Sequence, residues 1–199
     1  MKKIIALTLV LVTVFAFAAC GKKTDGSETT TTAPQIALPE SALVLLNTVW
    51  EGFGEEQKFP AMGGNYDEDE TKNNIVDNAP GKYDLANDGM TTVLMVPADN
   101  LPQIAEAASL MHGMMANNYT CGAYKLTDGT DAKAFGEAMY KSISEARFLC
   151  GAPEAVFVAV LGDGYVVAAY GMTDLMTAME TSMTAAYPGT VVLYNKAIG

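Results

Sequence analysis

The chain is poor in the residues that carry most protein chemistry. Its 199 residues include one His, one Arg, one Trp and three Cys. Basic side chains are scarce too: 12 Lys and Arg against 23 Asp and Glu give a formal net charge of -11. An excess of that sign repels phosphate backbones and anionic lipid surfaces, which excludes nucleic acid as a partner class. Catalytic motifs are missing as well. There is no Gly-x-Ser-x-Gly elbow, no His-Glu-x-x-His and no phosphate-cradling glycine loop ending in Lys. The lone His112 has no Asp or Glu three or four residues away. Only paired carboxylates remain open as catalytic groups, since any two of the 23 acids could meet in space.

What is present is hydrophobic and patterned. Half the residues are apolar and 18% are charged, enough for one domain with a real core. The N-terminus reads Met1-Lys2-Lys3, an apolar run from Ile4 to Ala19, then Cys20-Gly21. A short basic region, about 16 apolar residues and small residues at the end fit a secretory signal better than a spanning helix. Phe17-Ala18-Ala19-Cys20 resembles the lipobox of bacterial lipoproteins, with Phe where Leu is usual. The resemblance implies that Cys20 takes a thioether-linked diacylglycerol and becomes the mature N-terminus. Loss of Lys2 and Lys3 with the leader would take the net charge to -13. Two acyl chains would anchor the protein stably on the outer face of the cell membrane. Residues 21–38, GKKTDGSETTTTAPQIAL, are polar and Thr-rich and read as a flexible tether. The expected organisation is a signal peptide at 1–19, lipidated Cys20 and tether over 20–38, and a single extracellular domain over 39–199.

Within that domain, Leu43, Leu46, Trp50 and Phe53 recur at helical spacing after Pro39. Residues 56–89 read as a long loop, carrying Gly63-Gly64, Asp67 to Glu70, Asn73-Asn74 and Pro80-Gly81. Thr91 to Val96 predicts a strand. Asp99 predicts the cap of a helix running to about Asn117, with Ile104, Ala107, Ala108, Met111 and Met115 on one face. From Tyr119 onward the signals sharpen. A strand to Leu126 and the Asp128-Gly129 turn precede a helix from Asp131 to Leu149, striped by Phe135, Met139, Ile143 and Ala146. Its outer face is a charge ladder of Lys133, Glu137, Lys141 and Glu145. Ala155 to Leu161 is an apolar strand, and Gly162-Asp163-Gly164 turns it into Tyr165 to Tyr170. Thr173 caps a helix to about Ala186, and Val191 to Tyr194 is the last strand. The order over about 119–195 is βαββαβ, the ferredoxin-like pattern. The expected fold is therefore an α+β sandwich with helices on one sheet face, preceded by a helix, a strand and a helix. That topology puts the strand at 155–161 on an edge although it is the most apolar one. Something must cover it, and the strand at 91–96 or the loop at 56–89 are the candidates.

Gly129-Thr130-Asp131-Ala132, Arg147-Phe148-Leu149-Cys150 and Gly162-Asp163-Gly164-Tyr165-Val166 resemble a family of small uncharacterised lipoproteins of Gram-positive anaerobes, often labelled bacteriocin transport accessory protein. The likeness covers roughly residues 105–170, and the family usually has Trp-Ile-Cys at the place of Phe148-Leu149-Cys150. It implies no reaction and brings no catalytic residues.

Three features bear on sites. Met172, Met176, Met179 and Met183 line one helix face, and Met111, His112, Met114 and Met115 cluster earlier. Thioether and imidazole suit Cu(I), but the stripe is equally the core face of an amphipathic helix, the stronger reading. Asp67 to Glu70 suggest calcium, yet Lys72 stands where an EF-hand needs Gly, and Asn78 where it needs Glu. The expectation is no metal and no cofactor. Cys121 and Cys150 would arrive at the same end of the predicted module. They either form a disulfide or remain two small buried thiols. The functional expectation is a membrane-anchored, non-catalytic binding module. The alternatives are an accessory or substrate-delivery subunit of an export or uptake system, and third a surface-polymer hydrolase.

Overall fold

In the computed structural model, residues 38–149 and 151–198 are described. They belong to one structural unit, Gln35–Gly199. The leader and Cys20, most of the tether, and Cys150 lie outside the described residues.

Helix α1 spans Ala42–Glu51, and the Ser41 hydroxyl accepts a hydrogen bond from the Val44 N–H at its start. Three short strands follow: β1 (Ala61–Gly63), β2 (Val76–Asp77) and β3 (Gly81–Tyr83). A single helical turn, α2 (Gly89–Thr92), and a 3-10 segment lead into β4 (Ile104–His112). The rest is β5 (Tyr119–Leu126), α3 (Ala132–Glu145), β6 (Ala155–Leu161), β7 (Tyr165–Gly171), α4 (Thr173–Ala186) and β8 (Thr190–Ala197). The strands form one sheet in the order β2-β1-β4-β5-β7-β6-β8, with β3 also on β4. Every pairing is antiparallel.

The βαββαβ element order is as expected, but two features of the sandwich are corrected. First, β8 pairs with β6, whereas a ferredoxin-like sheet would close it on β5, whose free side is occupied by β4. Second, helices cover both faces. From β5 to β6 and from β7 to β8 the chain steps two places in the same direction, but β5 and β7 run oppositely. Crossovers of one hand then put α3 and α4 on opposite sides. Alternation within the strands follows. Ala155, Phe157, Ala159 and Leu161 pack toward α1 and α4, while Val156, Val158 and Val160 pack toward α3. All seven residues of β6 are buried, and so are all seven of β7. The apolar run at 155–161 is thus an interior strand, covered on its outer side by β8 and by neither expected candidate.

Two further expectations are overturned. Thr91 to Val96 is not a strand. Its start lies in α2, and the Val93 and Leu94 carbonyls are taken by the hydroxyls of Tyr170 (2.9 Å) and Tyr124 (3.3 Å) rather than by a neighbouring strand. The helix expected from Asp99 to Asn117 is β4. Its Ala-rich sequence favours a helix locally, but pairing with β5 on one side and with β1 and β3 on the other decides the outcome. The small side chains then serve close layer packing: Ala108 and Leu110 face α1 and α4, while Ile104 and Ala107 face the other layer.

The third helix is largely as expected. Asp131 caps it through the Lys133 and Ala134 amides, both at 3.0 Å, and Phe135, Met139 and Ile143 are buried. The helix ends at Glu145, leaving Ala146 half-buried at the C-cap. Thr173 is the first residue of α4 and not its cap. The Glu154 carboxylate accepts its N–H at 2.9 Å.

The chain enters the domain beside the middle of the sheet. The buried Tyr165 hydroxyl donates to the Pro39 carbonyl at 2.7 Å, and Leu38 lies over Gly162. The Lys125 ammonium donates to the Glu40 carbonyl at 3.2 Å and pairs with Glu106 at 3.3 Å. That hydrogen bond to Glu106 raises the Lys125 pKa.

Candidate functional site

The strongest candidate is built from residues 64–89, which the sequence presents only as polar loop. Its foundation is glycine. Gly63 lies so close to the Gly81 backbone that a Cβ there would sit 2.1 Å from the Gly81 nitrogen, and Gly64 adopts φ 78°. The Ser109 hydroxyl on β4 holds the Gly64 carbonyl at 2.8 Å.

Next comes Asn65, which is fully buried. Its backbone N–H donates to the Asn74 Oδ1 at 2.7 Å, and its carbonyl accepts from the Asn74 N–H at 3.2 Å. Its Oδ1 accepts from the Asp84 N–H at 2.9 Å, and its Nδ2 donates to the Lys72 carbonyl at 3.5 Å. One amide side chain therefore ties together both limbs of the loop. A third fastening is Asn87. Its Nδ2 donates to the Tyr66 carbonyl (2.9 Å) and to Asp67 Oδ2 (3.3 Å), while its Oδ1 accepts the Gly89 N–H at 2.8 Å.

Between these fastenings, residues 66–73 fold back on themselves. Asn73 Oδ1 accepts from the Asp67 N–H, Asp67 accepts from the Asp69 N–H, and Asp69 accepts from both the N–H and the hydroxyl of Thr71. The bonds from Thr71 lower the Asp69 pKa.

Beneath this segment lies a cleft of about 580 Å³, lined by Tyr66, Asp67 and Glu68 from the segment, Tyr83 and Asn87, and Met111 from β4. Tyr66 is 67% exposed, whereas Tyr83 is buried, and burial pushes its hydroxyl up to about 12. The wall is thus a neutral phenol and a thioether, and the rim is acidic. Such a cleft can hold a cationic or hydrogen-bonding ligand. Among the described residues, no group of three or more His, Cys, Asp or Glu side chains converges as a metal site.

The structure separates the other residues singled out by sequence. Met176, Met179 and Met183 are fully buried between α4 and the sheet, and Met172 is partly exposed at the helix start. Met111 lines the cleft, while His112 stacks on Phe59, rings 5.1 Å apart. His112 Nδ1 accepts from the Met114 and Met115 amides at 3.2 and 3.4 Å, and those two side chains are exposed. No single thioether and imidazole cluster results. Cys121 is a free, fully buried thiol facing α1 and α4, raised to about 12 by burial, against which a hydrogen bond from Tyr119 acts. Phe148, two residues before Cys150, packs on Tyr170 in the opposite layer. Cys20 and Cys150 themselves lie outside the described residues.

Sequence reasoning missed Asn65, Asn87, Tyr66 and Tyr83. The available signal was the density of Asn among glycines: side chains that bond neighbouring backbone can order a loop without any apolar period.

Scans against protein-family models, curated proteins and solved structures return no match to this chain.

Proposed function

We propose that the protein is a lipid-anchored extracellular binding module whose recognition surface is the cleft beneath residues 66–73. One observation carries the reading. The loop walling the cleft is fastened to the body of the domain by Asn65 and Asn87, which places Tyr66, Asp67 and Glu68 along the cleft. The acidic rim favours a ligand with positive charge. The cleft lies on the β1–β4 side of the antiparallel sheet of this α+β domain. Among the described residues no helix is long and apolar enough to cross a membrane. The anchor of this proposal is the diacylglycerol that the lipobox-like Phe17-Ala18-Ala19-Cys20 suggests for Cys20.

Two experiments test it. Metabolic labelling with a fatty-acid analogue should tag the chain, and Cys20→Ser should abolish both the label and membrane retention. A Cys20→Ser chain that stays in the membrane fraction would contradict the lipid anchor. That soluble chain, screened by thermal shift against basic peptides, polyamines, divalent cations and glycans, should gain about 2.7 kcal/mol from a ligand at a hundred times its dissociation constant. The gain should vanish with Glu68→Gln and Tyr66→Ala. A shift untouched by those changes would place binding elsewhere.

A further inference from the structure

We infer that residues 66–73 form a hinged lid over the cleft, closed in this structure and latched by the side-chain amide of Asn87. The inference rests on the reading of the cleft as a binding site and adds its gating. Among the described residues, the hydrogen bonds from the rest of the domain to this segment come from two side chains: Asn87 holds its first two residues, Tyr66 and Asp67, and Asn65 holds the Lys72 carbonyl on the returning limb. All others run within the segment: Asn73 to Asp67, Asp67 to Asp69, Asp69 to Thr71, and the ion pair of Lys72 with Asp69 at 3.5 Å. Residues 68–72 are all exposed, so no apolar packing holds the segment down.

The two ends are built to stay while the middle moves. Gly64, in the left-handed region, and Asn74 are joined to Asn65 and β4, and they form the fixed base. On the outgoing limb, next to that base, the latch consists of two bonds from one nitrogen, one to the Tyr66 carbonyl and one to Asp67. Breaking them frees Tyr66 and Asp67, which with Glu68 both belong to the lid and line the cleft. Asp67 also makes the latch responsive to its cargo. A cation in the cleft competes with Asn87 for the same carboxylate, so binding and latching are coupled through one group.

Asn87→Asp tests this cleanly. It keeps the oxygen that accepts the Gly89 amide, removes the latching donor and places a second carboxylate beside Asp67. In the full chain, trypsin cleavage after Lys72, read by mass, should accelerate about fivefold or more, the factor matching the net contribution of one hydrogen bond. Hydrogen exchange of the Asp67–Asn73 amides should rise by a similar factor, with β4 and β5 unchanged. Equal cleavage in both proteins overturns the latch. An exchange rise shared equally by β4 and β5 also overturns it, because Asn87 would then support the whole fold. In the unaltered chain the same amides should already exchange well ahead of β4, and equal rates there sink the lid whatever the variant does. Both readouts use no ligand, so their failure leaves the binding reading to be judged by the thermal shifts alone.

Discussion

The two halves of this domain are held together by different physics. From Tyr119 to Ala197, order comes from apolar side chains: β6 and β7 are buried at every position and sandwiched between α3 and α4. From Gly64 to Gly89, outside the short strands β2 and β3, order comes from Asn and Asp side chains bonding to backbone, and most residues between 66 and 78 are exposed. The first kind of order is non-directional and cooperative, so it resists local change. The second is directional and local, so it can be undone one bond at a time. A stable sheet carrying a separately fastened loop is how a binding surface can adapt without endangering the fold.

The largest test of this contrast is in the sheet. Phe157→Ala empties a fully buried site on β6 and should cost about 3 to 5 kcal/mol, read as a lower urea midpoint for the whole domain. A loss confined to one segment would mean the sheet is not the cooperative unit.

Next comes Asn65→Ala, which strips partners from the Asp84 amide and the Lys72 carbonyl. The expected cost is about 1 to 3 kcal/mol, with exchange rising first between residues 66 and 88. Uniform exchange over the domain would erase the distinction between the halves.

A third test uses alkaline pH on the sheet side. Cys121 is held at about 12 when folded against an ordinary 9.0, so the folded state keeps its proton longer than the unfolded state. Its contribution is whole below pH 9 and declines as pH rises toward 12. Between pH 9 and 10 the loss is about 1 kcal/mol, and Cys121→Ala should flatten that part of the curve. Intact mass should not change with reductant. A gain of two hydrogens on reduction, together with a flat alkaline curve, would indicate instead a bond to Cys150.

The smallest effect is expected in the lid itself. Asp69→Asn with Glu70→Gln should shift stability by less than about 0.5 kcal/mol, since both groups are exposed. A large loss, or a calcium-dependent rise in melting temperature that these changes erase, would make the acidic run a structural or metal-binding element.

The same division explains what could be read from the sequence. Phe135, Met139 and Ile143 announce α3, and the Gly162-Asp163-Gly164 turn announces the β6–β7 hairpin, because burial writes a period into the chain. That run could also have shown two-sided coverage: AVFVAVL has no polar alternate to face water, which means helices on both faces. β4 was illegible because Ala, Ser and Met at 105–111 prefer a helix alone, and only neighbours hydrogen-bonded on both sides make it a strand. The site was illegible for another reason. Asn65 bonds partners up to 19 residues away, and no spacing rule reports which carbonyl an amide will reach once the chain has turned.

The way the chain enters the domain has a mechanical meaning. Pro39 and Glu40 are fastened to Tyr165 on β7 and Lys125 on β5, adjacent strands in the interior of the sheet. Tension on an N-terminal tether would reach these two bonds before it reached α1. It would spread into strands flanked by partners on both sides, while the outer strands β8 and β2 stayed unloaded. On the lipid-anchored reading proposed above, a pull on the anchor would meet the domain where it is best supported, and the lid, rooted on β1 and β4, would feel little of it.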